Sequence, residues 1–380
     1  MKKKYLTWVV VLVVAVAVTA ILLPKRGATS PIKLGVLMPL TGPVAESGNK
    51  CLRGAQLAVA EFNQKHPKHT LSLVVEDSKA QPAAGLSAVE KLVNVDKVPA
   101  IIGDLTSSVS MSVAPVTERA GVILISPGAS NPKFTGYGPR TFRIWVSDNF
   151  DGEIMARYLR EEKKLAAGAV VFANNDYGRG LAEVFQERFK SFGGQVLLFD
   201  GYNTDTTDFR PLIARLKGIA GVQFVYLPGT PKENAFFVRQ SREAGLDCLL
   251  AANLSVQHED FKKGAGLSAK GIVFSSPAFD PARLTMAGRP FAEAYRAMHN
   301  QEPNIGSAHG YDAALALLTA WEKAGFDWAK TPASLSSLSG LEGVTGTTSF
   351  AATGDVSKAI LVKEIQEDGT AKTVKEVSVK

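Results

Sequence analysis

The chain is short of the groups that most enzyme chemistry requires. Its 380 residues include two cysteines and five histidines. Two cysteines cannot build a disulfide scaffold. Of the histidines only His66 and His69, in HPKH, stand close together, in a charged loop that reads as solvated rather than metal-bound. The chain has no G-x-S-x-G nucleophile elbow, no Walker loop, no H-E-x-x-H, and no G-x-G-x-x-G after a strand. With no nucleophile, base and orienting group together, the sequence argues against an enzyme and implies no cofactor and no metal. Acids are absent from the first 30 residues, which hold Lys2, Lys3, Lys4, Lys25 and Arg26. The net charge of +7 less those five leaves +2, so the globular part is nearly balanced.

That basic start leads into an uncharged stretch from Tyr5 to Leu23 and then Pro24. A basic segment before a long apolar one is an export leader. The same stretch approaches the roughly 17 to 25 residues of a membrane span. There is no lipobox cysteine, and the nearest small-x-small site is Val18-Thr19-Ala20. Residues 1–30 are therefore a cleaved signal peptide or an N-terminal anchor held by residues 5–23. Both readings place residues 31–380 in the periplasm or an equivalent extracytoplasmic space. Export, together with the lack of a helix-turn-helix, counts against a nucleic-acid partner.

What the chain does have is 46% hydrophobic content, enough for two cores, and a regular alternation of periods. Strands are predicted at 32–40, 71–78, 100–105 and 122–126, with helices between them around Leu52, Ala55, Val59 and Phe62, at 82–95 and at 108–120. The rhythm restarts after TFRIWVSDNF. Helices near 153–163, from Gly180 to the Gly193-Gly194 stop, at 209–216 and at 233–244 alternate with the strands GAVVFAN, QVLLFDGY, VQFVYL, CLLAAN and GIVFSS. The pattern predicts an α/β fold of two Rossmann-like lobes with parallel sheets. Residue-level repeats are absent. Helices at 290–299 and 310–324, a Ser/Gly/Thr-rich passage and a hairpin around Asp368-Gly369 are too little for a third domain. They are expected to return and finish both lobes, so that several crossings form a hinge.

Ligands of open α/β sheets bind at the carboxyl ends of strands. In the first half the loops there are GDLTSS (103–108) and SPGASNP (126–132), which offer backbone amides with the hydroxyls of Ser107, Ser108 and Ser130 to a small acid group. Capping of a helix is the alternative use of such serines. In the second half the corresponding loops bring Tyr177 as an aromatic wall and Thr230 and Asn253 as polar contacts. Lobe packing and turn formation are the plainer roles for Tyr177 and Asn253.

Seven segments carry a family resemblance over nearly all of residues 32–380: KLGVLMPLTGPVAESG, GAQLAVAEFN, IIGDLTSS, ISPGASNP, DYGRGLAEVF, DFRPLIARL followed by FVYLPG, and GYDAALAL. In this order they resemble the type I periplasmic solute-binding proteins, in the branched-chain amino-acid (Leu/Ile/Val) receptor group of ABC importers. The resemblance implies two lobes that close on a ligand like a trap. It makes Ser107 and Ser130 contacts of the ligand carboxylate, Gly128 a carbonyl partner of its ammonium, Tyr177 the closing aromatic and Thr230 part of the next contact loop. Three departures accompany it. Asn253 stands nearest the position where the amino-acid receptors carry an acid for the ammonium, a charge pairing that a neutral amide does not supply and that Asp104 or Asp148 would have to replace. Ser47 takes the place of a bulky aromatic, which implies a roomier pocket. Ala80 and Thr106 take the places of a disulfide pair, in keeping with unpaired thiols at Cys51 and Cys248.

The expected function is a monomeric extracytoplasmic receptor that captures an amino acid or related small carboxylate-bearing solute and delivers it to a membrane ABC permease. A membrane-anchored receptor of the same fold, signalling occupancy to a partner, is the alternative. Lobe 1 is expected over 31–147 with about 277–355, and lobe 2 over 148–276 with about 356–380.

Overall fold

The computed structural model describes residues 30–279 and 286–378, so the predicted leader lies outside the described residues but for Ser30. Strands β1 (Ile32–Met38), β2 (Leu71–Asp77), β3 (Ala100–Gly103), β4 (Ile123–Ser126) and β5 (Thr141–Arg143) form a parallel sheet in the order β2-β1-β3-β4-β5. Helices α1 (Ala45–Lys65), α2 (Pro82–Asn94) and α3 (Ser107–Ala120) connect them. Successive side chains of a strand point to opposite faces. Leu34, Val36 and Met38 of β1 accordingly enter one core with Ala55 and Val59 of α1. Leu37 enters another with Val89 of α2 and Val109 and Val113 of α3.

The second sheet starts after α4 (Asp148–Arg157). Its parallel strands are β6 (Ala167–Ala173), β7 (Gln195–Tyr202), β8 (Phe224–Leu227), β9 (Leu249–Ala252) and β10 (Val273–Pro277), in the order β7-β6-β8-β9-β10. Helices α5 (Asp176–Ser191), α6 (Arg210–Lys217), α7 (Pro231–Glu243) and α8 (Glu259–Ala265) fall between these strands. The same alternation divides β6, with Val171 facing one core and Val170 and Phe172 the other.

After α9 (Gly288–His299) and α10 (Ile305–Lys323), Trp321 and Leu317 of α10 join the first-lobe core that also holds Val36. Beyond α11 (Thr331–Ser336) the Ser/Gly/Thr-rich passage folds into a small antiparallel sheet of β11 (Leu341–Gly343), β12 (Gly346–Phe350) and β13 (Val356–Ser357), which the sequence pattern did not disclose. The chain then crosses to the second sheet. There β14 (Ala359–Ile365) runs antiparallel to β10, and β15 (Ala371–Ser378) pairs with it as the expected hairpin, with Gly369 at φ +79° in the turn.

Several boundaries differ for local reasons. Helix α4 begins at Asp148 rather than near Glu153, because Ser147 caps it by accepting the Asn149 amide. Helix α10 begins at Ile305 rather than Gly310, because Asn304 and Ser307 form a reciprocal capping box. Strand β5 is only three residues long, too short for a periodic signal. The HPKH pair is not solvated as expected: His69 stacks on Phe326 at 3.7 Å between ring centres, and His66 lies against Phe62. Cys51 is buried in the first lobe and Cys248 half-buried in the second, both as free thiols that burial shifts upward, Cys248 to about 11.

Candidate functional site

In a parallel sheet, ligands gather where neighbouring strands send their connections to opposite sides. That point falls between β1 and β3 in the first sheet and between β6 and β8 in the second. The loops leaving these strands and their neighbours carry every residue singled out from the sequence.

On the first lobe, the loops after β3 and β4 are joined through Ser107, whose hydroxyl accepts the amides of Ser130 at 3.3 Å and Asn131 at 3.2 Å. The N-cap of α3 is Thr106, which makes no side-chain cap bond. Ser126 braces the turn, accepting the Ala129 amide at 2.8 Å and donating to the Asp104 carbonyl at 2.7 Å. A Cβ on Gly128 would lie 2.5 Å from the Leu105 carbonyl oxygen, so only glycine lets the two loops come this close. Ser130 is buried and its hydroxyl has no partner. Ser108, the next residue of α3, is half-buried, and Ser47 sits in the first turn of α1 with its carbonyl toward Gly306.

Sequence reasoning missed the residue that holds this surface in place. Arg143, at the end of β5 and fully buried, donates to the carbonyls of Asn131 at 3.0 Å and Ala129 at 3.4 Å. Its Nε pairs with Asp355 at 2.5 Å, more than 200 positions away in sequence, which no local pattern could announce.

On the second lobe, Asn175 caps α5 by accepting the Gly178 amide, which sets Tyr177 in the first turn. Asn253 donates to the Tyr177 hydroxyl at 2.7 Å and to the Gly229 carbonyl at 2.9 Å, and its oxygen accepts from Ser255 at 2.6 Å. Asn253 is thus engaged within its own lobe, and it leaves the Tyr177 O–H proton free to point elsewhere. Thr230 likewise has a partner within its own lobe, its hydroxyl donating to Glu233 at 2.6 Å.

The lobes touch across the cleft. Asn131 donates its side-chain amide to the Asp176 carbonyl while accepting from the Lys133 amide. A Cβ on Gly180 would meet that Asn131 nitrogen at 2.5 Å. Nearer the rim, His258 lies 3.4 Å from Glu46.

Both oxygens of Asp148 and one of Asp151, from the first turn of α4, are buried without a hydrogen-bond partner. Burial, with Asp151 as a like-charged neighbour, raises Asp148 well above the ordinary carboxylate range; burial lifts Asp151 to about 6. Asp104, the other acid proposed to replace the one missing at Asn253, is instead a structural brace. Its carboxylate accepts from Ser78 at 2.5 Å and from the amide and hydroxyl of Thr106 at 2.6 and 2.7 Å. Burial still pushes it up to about 6. Among the described residues no group of three or more His, Cys, Asp or Glu is arranged to hold a metal, and no helix is long and apolar enough to cross a membrane. The Asp148 amide donates to the Ser130 carbonyl at 2.8 Å, so amides and hydroxyls stand beside carboxylates without hydrogen-bond partners, an arrangement that suits a small zwitterion.

The family model for periplasmic binding proteins matches residues 31–370. The chain is 31% identical over 309 residues to the Leu/Ile/Val-binding protein of Escherichia coli, covering 80% of this chain and 82% of that one. It is 30% identical over 302 residues to the leucine-, isoleucine-, valine-, threonine- and alanine-binding protein of Pseudomonas aeruginosa, covering 78% and 80%. The crystal structure of a branched-chain amino acid transporter substrate-binding protein from Streptococcus pneumoniae, in complex with isoleucine, superposes with a TM-score of 0.82 at 28% identity, covering 92% of this chain and all of that one. A two-lobed trap of Rossmann-like halves, matched from its first strand nearly to its last, belongs to the periplasmic binding protein family, in its type I branched-chain amino-acid receptor group.

Proposed function

We propose that the chain is the extracytoplasmic solute receptor of an ABC importer and captures an amino acid, or a related small carboxylate-bearing solute, between its lobes. The observation that carries this reading is the buried, unpartnered hydroxyl of Ser130, tied through its amide to Ser107 on one lobe while Tyr177 lies on the other. A ligand carboxylate entering there takes the Ser107 amide and the hydroxyls of Ser107 and Ser130, with Ser108 beside them, and the Tyr177 O–H donates from the second lobe. Gly128 offers its carbonyl to the ligand ammonium, and Ser47 leaves room for the side chain. Asn253 and Thr230 act from behind, Asn253 by aiming Tyr177.

Such a ligand contacts both lobes only when they are closed, so it shifts the population to the closed form, and the permease reads that form. We take lobe 1 as 31–147 with about 277–355 and lobe 2 as 148–276 with about 356–380, working as a monomer. Residues 5–23 serve as a removed signal or a retained anchor, which the intact mass of the mature protein distinguishes.

Thermal shift and intrinsic fluorescence of residues 31–380 against amino and organic acids test the reading. At least one such acid is expected to bind, and Ser107→Ala with Ser130→Ala is expected to weaken it by 100-fold or more, at about 1.4 kcal/mol per tenfold for two or more lost contacts. Binding by uncharged solutes alone would overturn it.

A further inference from the structure

Asn253 is neutral and fully engaged, so a ligand ammonium needs its counter-charge elsewhere. Asp148 and Asp151 are separated by one helical turn and therefore share a face of α4. Around them lie hydroxyls from four other elements: Ser130 of the first-lobe loop, Tyr177 of α5, Tyr226 of β8 and Ser275 of β10. Of these, Ser130, Tyr226 and Ser275 are at least 99% buried and their hydroxyls have no partner, and Asp148 is 1% exposed. Arg143 acts on Asp148, and it is committed to Asp355. Two carboxyls thus lie in a buried polar cluster, and among the described residues neither is in an ion pair. A buried carboxylate left without a counter-charge or full hydrogen bonding is costly, and it either takes up a proton or meets a cation.

Resting on the reading of the cleft as an amino-acid site, we propose that Asp148 and Asp151 together form the subsite for the ligand's cationic group, an ammonium, and that they share a proton which is released to solvent as that group enters. One positive charge leaves as one arrives, so the cluster keeps its charge. The ligand class this selects is the zwitterionic amino acid, with its ammonium toward α4 and its carboxylate toward Ser107 and Ser130. Simple carboxylates without an amine bind poorly, because they leave the two acids unpaired.

Isothermal titration of the receptor with the L-amino acids named for its relatives, leucine, isoleucine, valine, threonine and alanine, and with 4-methylpentanoate, which is leucine without its amine, tests this. The expected result is binding of an amino acid at least 100-fold tighter than 4-methylpentanoate, with enthalpies in phosphate and Tris that differ by the release of a proton. Affinity is expected to rise with pH, since protons compete with the ammonium. Asp148→Asn is expected to lose binding by 100-fold or more, and Asp151→Asn to weaken it about tenfold and abolish proton release, with both variants as stable as the parent or more so. If amino acids bind but these variants keep parental affinity with buffer-independent enthalpy, or if 4-methylpentanoate binds equally well, the proposal falls and the amino-acid cleft stands. If neither class binds, the reading of the cleft falls and takes the proposal with it.

Discussion

At Asn253 two donors and an oxygen are engaged by Tyr177, Gly229 and Ser255, so the side chain holds the second-lobe loops together. Restoring an acid there is therefore not a repair. Asn253→Asp removes both donors and sets a carboxylate beside the Gly229 carbonyl, which leaves buried acceptors facing each other. The expected cost is about 1–3 kcal/mol in urea unfolding, with ligand affinity unchanged or lower. A variant that is equally stable and binds an amino acid more tightly would show that Asn253 faces the ligand. A sequence reader sees the substitution of amide for acid at once. Two of the partners that use the amide, Tyr177 and Gly229, lie far from it in sequence, and they are visible only in the fold.

At the scale of elements, the N-terminus of α5 is a part of the second lobe that touches the first. Its carbonyl at Asp176 meets Asn131, and Gly180, one turn on, leaves space for that side chain. Asn131 is held from both ends, so it has little freedom to move aside. Gly180→Ala is therefore expected to oppose closure and not folding. Ligand affinity should fall about tenfold, roughly 1.4 kcal/mol, while the unfolding midpoint of the free receptor stays within about 0.5 kcal/mol of the parent or rises. Small-angle scattering of the ligand-bound variant should show a more open particle. An unchanged affinity would mean that these two elements do not form the closing contact.

For the whole molecule, buried titrating groups on both lobes make stability depend on pH from two directions. Asp104 and Asp151 hold protons more tightly in the fold, each with a folded value of about 6 against about 3.9 in the unfolded chain. Over that interval the folded state binds more protons, so stability falls as pH rises from about 4 through 6. His309 is the reverse case. Burial holds its ring neutral, with a value of about 3, so the unfolded chain takes up the proton first and stability falls as pH drops from about 6.5 toward 3. Urea unfolding is expected to show Asp151→Asn gaining on the parent between about pH 4 and 7, by on the order of 1–3 kcal/mol at the upper end. His309→Gln should flatten the acid limb. A difference between Asp151→Asn and parent that does not vary with pH would contradict the raised carboxyl.

The alternation of apolar periods determined the α/β class, the two parallel sheets and the terminal hairpin, because a residue's face in a strand or helix follows from spacing alone. The loop chemistry of Gly128, Ser107 and Ser130 was legible for the same local reason, since small residues after a strand expose backbone donors. Tertiary structure decided what those donors face. It brought Arg143 to Asp355, tied Thr230 to Glu233, engaged Asp104 as a brace and left oxygens of Asp148 and Asp151 without hydrogen-bond partners. Pairing of buried polar groups such as Arg143 and Asp355 depends on distances between segments far apart in the chain, and only the packed tertiary fold sets those distances.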